Sequence, residues 1–311
     1  MIESWNVNVF NTDFGADNPA LRNAAFAATQ NYLPFTQFGA INYMSNTGHS
    51  SCHAGTVQFL RRYAQGLVLN SFYTFSKAID DCDNDYGTCS GVAPVSDRNL
   101  AKGRAGFDRN HVFVTSATYE LPIGKGRHWV PKNKMLDWVA GGYELAWIQS
   151  FMSGNPIGFS FANSPNNYYS GAIGNRVPNL TCNGISMQQF GLGKLIGGNR
   201  FNQALENPVL PVSCFAAPDA FTPGNAGRNI VTGPGLMYSQ ISAKKNFRLT
   251  ERFNMELRFD FQNPFHNYGF NAPSNSVDFK NPQLFGKITG YQTTASFTGQ
   301  PLMNLGLRLS W

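Results

Sequence analysis

The chain has 311 residues and a net charge of +6; 42% of them are hydrophobic, 14% aromatic and only 14% charged, well under the ~25% charged share of soluble domains. That disfavours a water-soluble globule with a charged coat, and no window approaches the ~18 consecutive apolar residues a membrane helix needs. The basic residues are scattered, not gathered into a stripe, which argues against a nucleic-acid partner.

In chain order, Met1 to Trp5 lack the basic start and apolar run of a secretory signal. Residues 1–35 are read as an external loop or the remnant of a truncated strand. Strand-like stretches follow near 36–45 and 50–62, then in Leu67, Leu69, Tyr73 and Phe75. Alternation returns in Phe113, Ala117, Tyr119 and Leu121, over 142–153, and in Ile241, Ala243, Phe247 and Leu249. It is unbroken in Phe253, Met255, Leu257, Phe259 and Phe261, between which stand Asn254, Glu256, Arg258 and Asp260. The final segment repeats it with Met303, Leu305, Leu307, Leu309 and Trp311. Period two means strands. About eight of them, each roughly 9 to 12 residues long, have the length of a tilted strand that crosses a bilayer.

Short connections, Tyr63 to Gly66 and Arg248 to Glu251, alternate with long ones covering about 80–109, 154–235 and 264–300. Short periplasmic turns and long external loops are the asymmetry of outer-membrane barrels. With Trp311 at the periplasmic side, counting strands backwards puts every long loop outside. The stretch from 122 to 141 is then a periplasmic turn of intermediate length. In lipid each strand must satisfy its backbone from neighbours, so only a closed barrel is viable; the polar faces of these strands suit its lumen. The predicted class is all-β, an antiparallel transmembrane β-barrel. Eight strands alone make a narrow barrel filled by its own side chains, too small for an external loop of some 80 residues, so the segment reads as part of something wider.

Candidate chemistry is sparse. His49, Cys52 and His53 are close in sequence, but Cys52 and His53 face opposite ways in a strand and a structural zinc site needs four ligands. Asp81, Asp83 and Asp85 resemble the start of a calcium loop, yet Tyr86 and Val92 stand at its Gly and Glu positions; a solvated acidic loop is the preferred reading and no cofactor is expected. Ser242 and Lys245 have an acyl-enzyme spacing, but at period two they point oppositely. No catalytic motif is found, and an enzyme is not expected. Cys82 with Cys89 and Cys182 with Cys214 are disulfide candidates, which leaves Cys52 over; spacing does not establish connectivity. Tyr168, Tyr169, Phe215, Phe221, Phe265, Tyr268 and Phe270 in the loops form either a ligand-contacting rim or loop packing.

Several runs resemble the Oar-like TonB-dependent outer-membrane receptors. Ser71 to Asp81, reading SFYTFSKAIDD, is similar to that family's SYTWSKSIDD stretch. Phe107 to His111 followed by Tyr119 to Pro122 and Gly124 to Arg127 is similar to DRRH…YELPFGKGR. Gly224 to Asn229, Gly233 to Gly235 and Lys245 to Arg252 resemble GNAGRN…GPG…KNFRLTER. The resemblance spans about 36–311 and implies the C-terminal part of a plugged barrel of about 22 strands. It also implies energised uptake of an unknown ligand driven by the TonB complex through an N-terminal part with no counterpart here. Gln262 to His266 depart from the family's NLFNH, and Pro264 cannot donate to a ladder, so the strand is expected to end just before it. Leu307, Leu309 and Trp311 resemble the C-terminal signal read by the barrel-assembly machinery, with Trp where Phe is commoner. The expected surroundings are outer-membrane lipid in a bacterial cell. The alternatives are a stand-alone small barrel acting as adhesin or structural protein, and a secreted disulfide-linked β protein that binds carbohydrate.

Overall fold

The computed structural model describes residues 3–6, 35–38, 41–45, 48–83, 98–124, 128–129, 134–161, 177–186, 208–218, 224–248, 250, 252–265, 267, 269–290 and 301–311. In chain order the elements begin with β1 (Glu3–Asn6), β2 (Asn42–Ser45), β3 (Ser50–Ala64), β4 (Leu67–Asp80), β5 (Gly103–Arg104) and β6 (His111–Glu120). Helix α1 (Lys134–Ala140) precedes β7 (Tyr143–Met152). The next long connection carries β8 (Pro156–Ile157), β9 (Ser160–Phe161), β10 (Asn179–Leu180), β11 (Phe215–Ala216) and β12 (Val231–Thr232). The chain finishes with β13 (Leu236–Arg248), β14 (Asn254–Gln262), β15 (Ser276–Val277) and β16 (Leu302–Ser310).

The long strands lie side by side in the order β3-β4-β6-β7-β13-β14-β16, every neighbour antiparallel, with β5 added beside the end of β4. This is a meander of seven, each of nine residues or more, long enough to cross the apolar band of an outer membrane. Its connections alternate as the spacing predicts: the three long ones leave one end of the sheet, while Gln65-Gly66, the α1 connection, the 249–253 turn and the C-terminus lie at the other. One expectation is corrected. Among the described residues of 36–45 only Asn42–Ser45 is extended, and its backbone is paired not with the wall but with β1, Trp5 opposite Tyr43, in a separate ribbon.

Register assigns the two faces. Across one face run Leu69, Ala117, Trp147, Ile241, Phe261 and Met303, each opposite the next. The adjacent row is Tyr119, Leu145, Ala243, Phe259 and Leu305. The other face carries Thr118, Ser242, Asp260 and Asn304, and beside them Glu144, Lys244 and Arg258. Its polar groups satisfy one another: Lys244 pairs with Glu144 at 3.0 Å, Arg258 Nε donates to Asp260 at 2.9 Å, and the Ser242 hydroxyl donates to the same carboxylate. A single-residue slip would turn the charges into hydrocarbon, so the apolar pattern holds the register.

Local chemistry explains the strand ends. Gln65 and Gly66 have φ of 53° and 81°, the pair of positive values of a two-residue primed hairpin turn whose twist matches its strands. A Cβ on Gly66 would come within 2.7 Å of the Glu120 carbonyl oxygen. β14 ends at Gln262, ahead of Pro264, and Asn263 turns the chain with φ of 51°. Among the described residues the sheet is open: β3 and β16 each have a neighbour on one side only.

Candidate functional site

At the end of the wall from which the long connections leave, the loops pack on one another. β8 pairs with β12, β10 with β11, and β9 with β15 in parallel. These short ladders gather a core of their own that includes Ile157, Phe159, Leu210, Phe215, Val231, Phe270, Val277, Phe285 and Ile288, all buried. Phe159, Phe215 and Phe285 stack as a trio with centroids 4.7 to 6.0 Å apart, in the tilted and edge-on geometries that aromatic quadrupoles favour. Cys182 and Cys214 are joined by a disulfide against this core, with Cα atoms 5.0 Å apart. An open cleft of about 670 Å³ lies beside it, lined by Pro208, Leu210, Pro211, Pro282 and Phe285 with the hydroxyls of Ser186 and Ser213. Both apolar side chains and hydroxyls reach it.

A polar lock ties this cap to the wall. Arg228, just before β12, reaches back to β4: its guanidinium lies 2.7 Å from the Asp80 carboxylate and 2.5 Å from that of Asp83. It also donates to the backbone oxygens of Asp80 and Ala101 at 3.0 and 3.1 Å. Arg104 is held alike, donating to Asp108 at 3.0 Å, to the Thr232 hydroxyl at 2.8 Å and to the Asn110 side chain. Asn229 donates to the Arg104 carbonyl at 2.7 Å, and Asp108 accepts from the Ala78 amide at 3.0 Å. Planar guanidinium forks suit such convergent acceptors. Burial alone would push Asp83 up, but the Gly106 amide and Arg228 outweigh it and hold the carboxyl below its ordinary value.

The residues singled out from the sequence fall as follows. Asp81 accepts the His49 amide at 2.8 Å, with the His49 ring 3.6 Å away, and Asp83 holds Gly106 and Arg228. Those two carboxylates are therefore engaged with the protein rather than simply solvated; Asp85 lies outside the described residues. Cys52 is an exposed free thiol on β3 and His53 is exposed beside it. Among the described residues no three His, Cys, Asp or Glu side chains converge as a metal site. Cys82 is buried and disulfide-bonded, while Cys89 lies outside the described residues. Of the loop aromatics, Phe215 and Phe270 are core and Phe265 is 41% exposed; Tyr168, Tyr169, Phe221 and Tyr268 lie outside the described residues. Ser242 and Lys245 sit on opposite faces, the first bonded to Asp260 and the second to backbone oxygens of Val139 and Gly141. Leu307, Leu309 and Trp311 are exposed on the last strand and its end. Sequence reasoning missed Arg104, Asn110 and Arg228 as a set. Arg228 and Asp80 are 148 positions apart, and no spacing signal links them.

A sheet of membrane-crossing strands with an apolar outer face, a polar inner face and a cap of packed loops is the wall of an outer-membrane barrel. The family model of the outer membrane beta barrel domain matches residues 2–300. The chain belongs to that family, and its compartment is the bacterial outer membrane. No curated protein and no solved structure matches it.

Proposed function

We propose that the chain is the C-terminal barrel portion of an Oar-like TonB-dependent receptor, providing wall strands and external ligand-contacting loops for energised uptake. One observation supports this: among the described residues the seven wall strands leave β3 and β16 each with one unpaired edge, and an unpaired edge in hydrocarbon costs several kcal/mol per group. In this reading further strands of the receptor close the wall. A larger barrel also provides the circumference that the loop cap needs. The motifs on which the resemblance rests, SFYTFSKAIDD, FDRNH and GNAGRN, meet in the lock through Asp80, Asp108, Arg228 and Asn229. In this reading the cleft beside Leu210 and Phe285 contacts ligand, the TonB complex supplies energy through the receptor's N-terminal part, the assembly machinery reads the last strand, and no catalysis is involved.

The test compares this chain alone with the same chain preceded by its upstream reading frame. Only the longer product is expected to run as a compact, heat-modifiable band in detergent and to bind a periplasmic TonB domain. A compact heat-modifiable band from residues 1–311 alone would favour the small barrel instead.

A further inference from the structure

We infer that the connection between β6 and β7 is an interfacial anchor, with α1 lying against the phospholipid of the periplasmic leaflet. The inference needs only the lipid-facing wall and is independent of the uptake reading. α1 is seven residues long, about two turns, and sits on the apolar face of the wall. Two contacts fix it there. Trp138 packs on Phe247 with ring centroids 5.0 Å apart, and the Lys245 ammonium donates to the carbonyls of Val139 and Gly141, the second at 3.0 Å.

Lys245 shares its row with Tyr143, Leu257 and Leu307, and Phe247 shares the next with Met255 and Leu309. That face looks onto lipid, where a bare ammonium is costly. The end of α1 covers it: Lys245 is 4% exposed, and its ammonium also lies 4.1 Å from the centre of the Tyr143 ring. With the helix seated so, Met135, Trp138 and Val139 remain 77%, 54% and 56% exposed. They stand at i, i+3 and i+4, hence on one side of the helix. Trp129 is 65% exposed close by, its carbonyl and amide bonded to Gly124 and Pro122 at 2.9 Å. Trp311 projects from the same end of the sheet, 88% exposed.

The occupant follows from this placement. The apolar side of α1 continues the lipid-facing surface at its periplasmic rim, the level at which Trp rings gather at a membrane interface. An amphipathic turn with Trp on its apolar side lies in the interface plane. The headgroup boundary of the phospholipid leaflet fits it.

The test places nitroxide labels at single cysteines in a Cys52→Ser background, with the protein in vesicles of phosphatidylethanolamine and phosphatidylglycerol. Met135→Cys is compared with Leu305→Cys on the lipid face and Arg252→Cys in a turn at the same end. The expected result is that a label at 135 behaves as at 305, colliding with oxygen in preference to a water-soluble nickel complex, while the label at 252 reverses that preference. Independently, acyl-chain-brominated lipids should quench tryptophan emission, and Trp138→Phe should remove part of that quenching. A label at 135 as open to nickel as the one at 252, or shielded from nickel and oxygen alike, with quenching unchanged by Trp138→Phe, overturns the inference; the first result leaves a water-exposed connection, the second a protein-covered one.

Discussion

Gln149 faces the lipid side in a row with Ser71, Thr115 and Ser239, where alternation alone expects an apolar side chain. It is tolerated because the row is closed on itself. Ser239 donates to the Gln149 carbonyl at 2.5 Å, the Gln149 amide donates to the Tyr238 backbone at 3.0 Å, and the Ser71 and Thr115 hydroxyls are 2.6 Å apart. Removing one partner of a buried hydrogen bond costs about 1 to 3 kcal/mol. Gln149→Ala is therefore expected to lower the urea midpoint in detergent micelles, while Gln149→Ala with Ser239→Ala recovers part of the loss. Arg228 is a second case of this kind. Removing a buried ion-pair partner costs about 3 kcal/mol or more, so Arg228→Ala should expose the external loops to added protease while the wall strands stay protected. Acid should act there too. Asp83 is held below its ordinary value of 3.8, so its stabilising contribution is present above that value and is lost as pH falls through the lower folded value. Pepsin cleavage of the loops should accelerate on acidification below 3.8, and Asp83→Asn should remove that part of the pH dependence.

At the scale of elements, wall strands and loop cap answer to different solvents. The alternating faces of β14 and β16 are held by lipid on one side and the lumen on the other. In the longer, heat-modifiable product, Leu305→Lys should abolish assembly of the heat-resistant band, whereas Asn304→Lys, directly beside it but facing the lumen opposite Asp260, should be tolerated; a Lys against lipid costs about 2 to 4 kcal/mol near the midplane. The cap follows the rules of a soluble core. Phe285→Ala, in the aromatic trio, should cost about 3 to 5 kcal/mol of local stability, read as faster amide exchange at Phe159 and Phe215 and unchanged exchange in β13. β14 and β16 were the most legible strands of the wall because they hold the two-residue pattern almost throughout their nine residues, whereas β7 and β13 interrupt it at Gln149 and Lys245. The two-residue strands of the cap, β8 to β12 and β15, were not legible. Two residues carry no period, and each exists only because a distant partner meets it, as Ser160 meets Ser276. The same explains 36–45, where among the described residues Asn42–Ser45 alone became a strand and its partner was β1, not the wall.

For the whole molecule, composition and alternation determined a sheet with one apolar face, which a membrane wall and a soluble core share. The unequal connections and the family resemblance decided between them in favour of an outer-membrane wall, and the family match over residues 2–300 agrees. Sequence alone also determined the topology, since short and long connections must alternate between the two ends of an antiparallel meander. It did not determine that the long loops are packed, that Arg228 closes on Asp80 and Asp83, or that α1 lies on the apolar face over Lys245. Those depend on contacts between residues tens to more than a hundred positions apart, and no periodic pattern encodes such pairs. A strand advertises its environment residue by residue through the solvent on each side. A loop core and an ion lock exist only once the wall has brought their pieces to the same end, so the tertiary structure alone decided them.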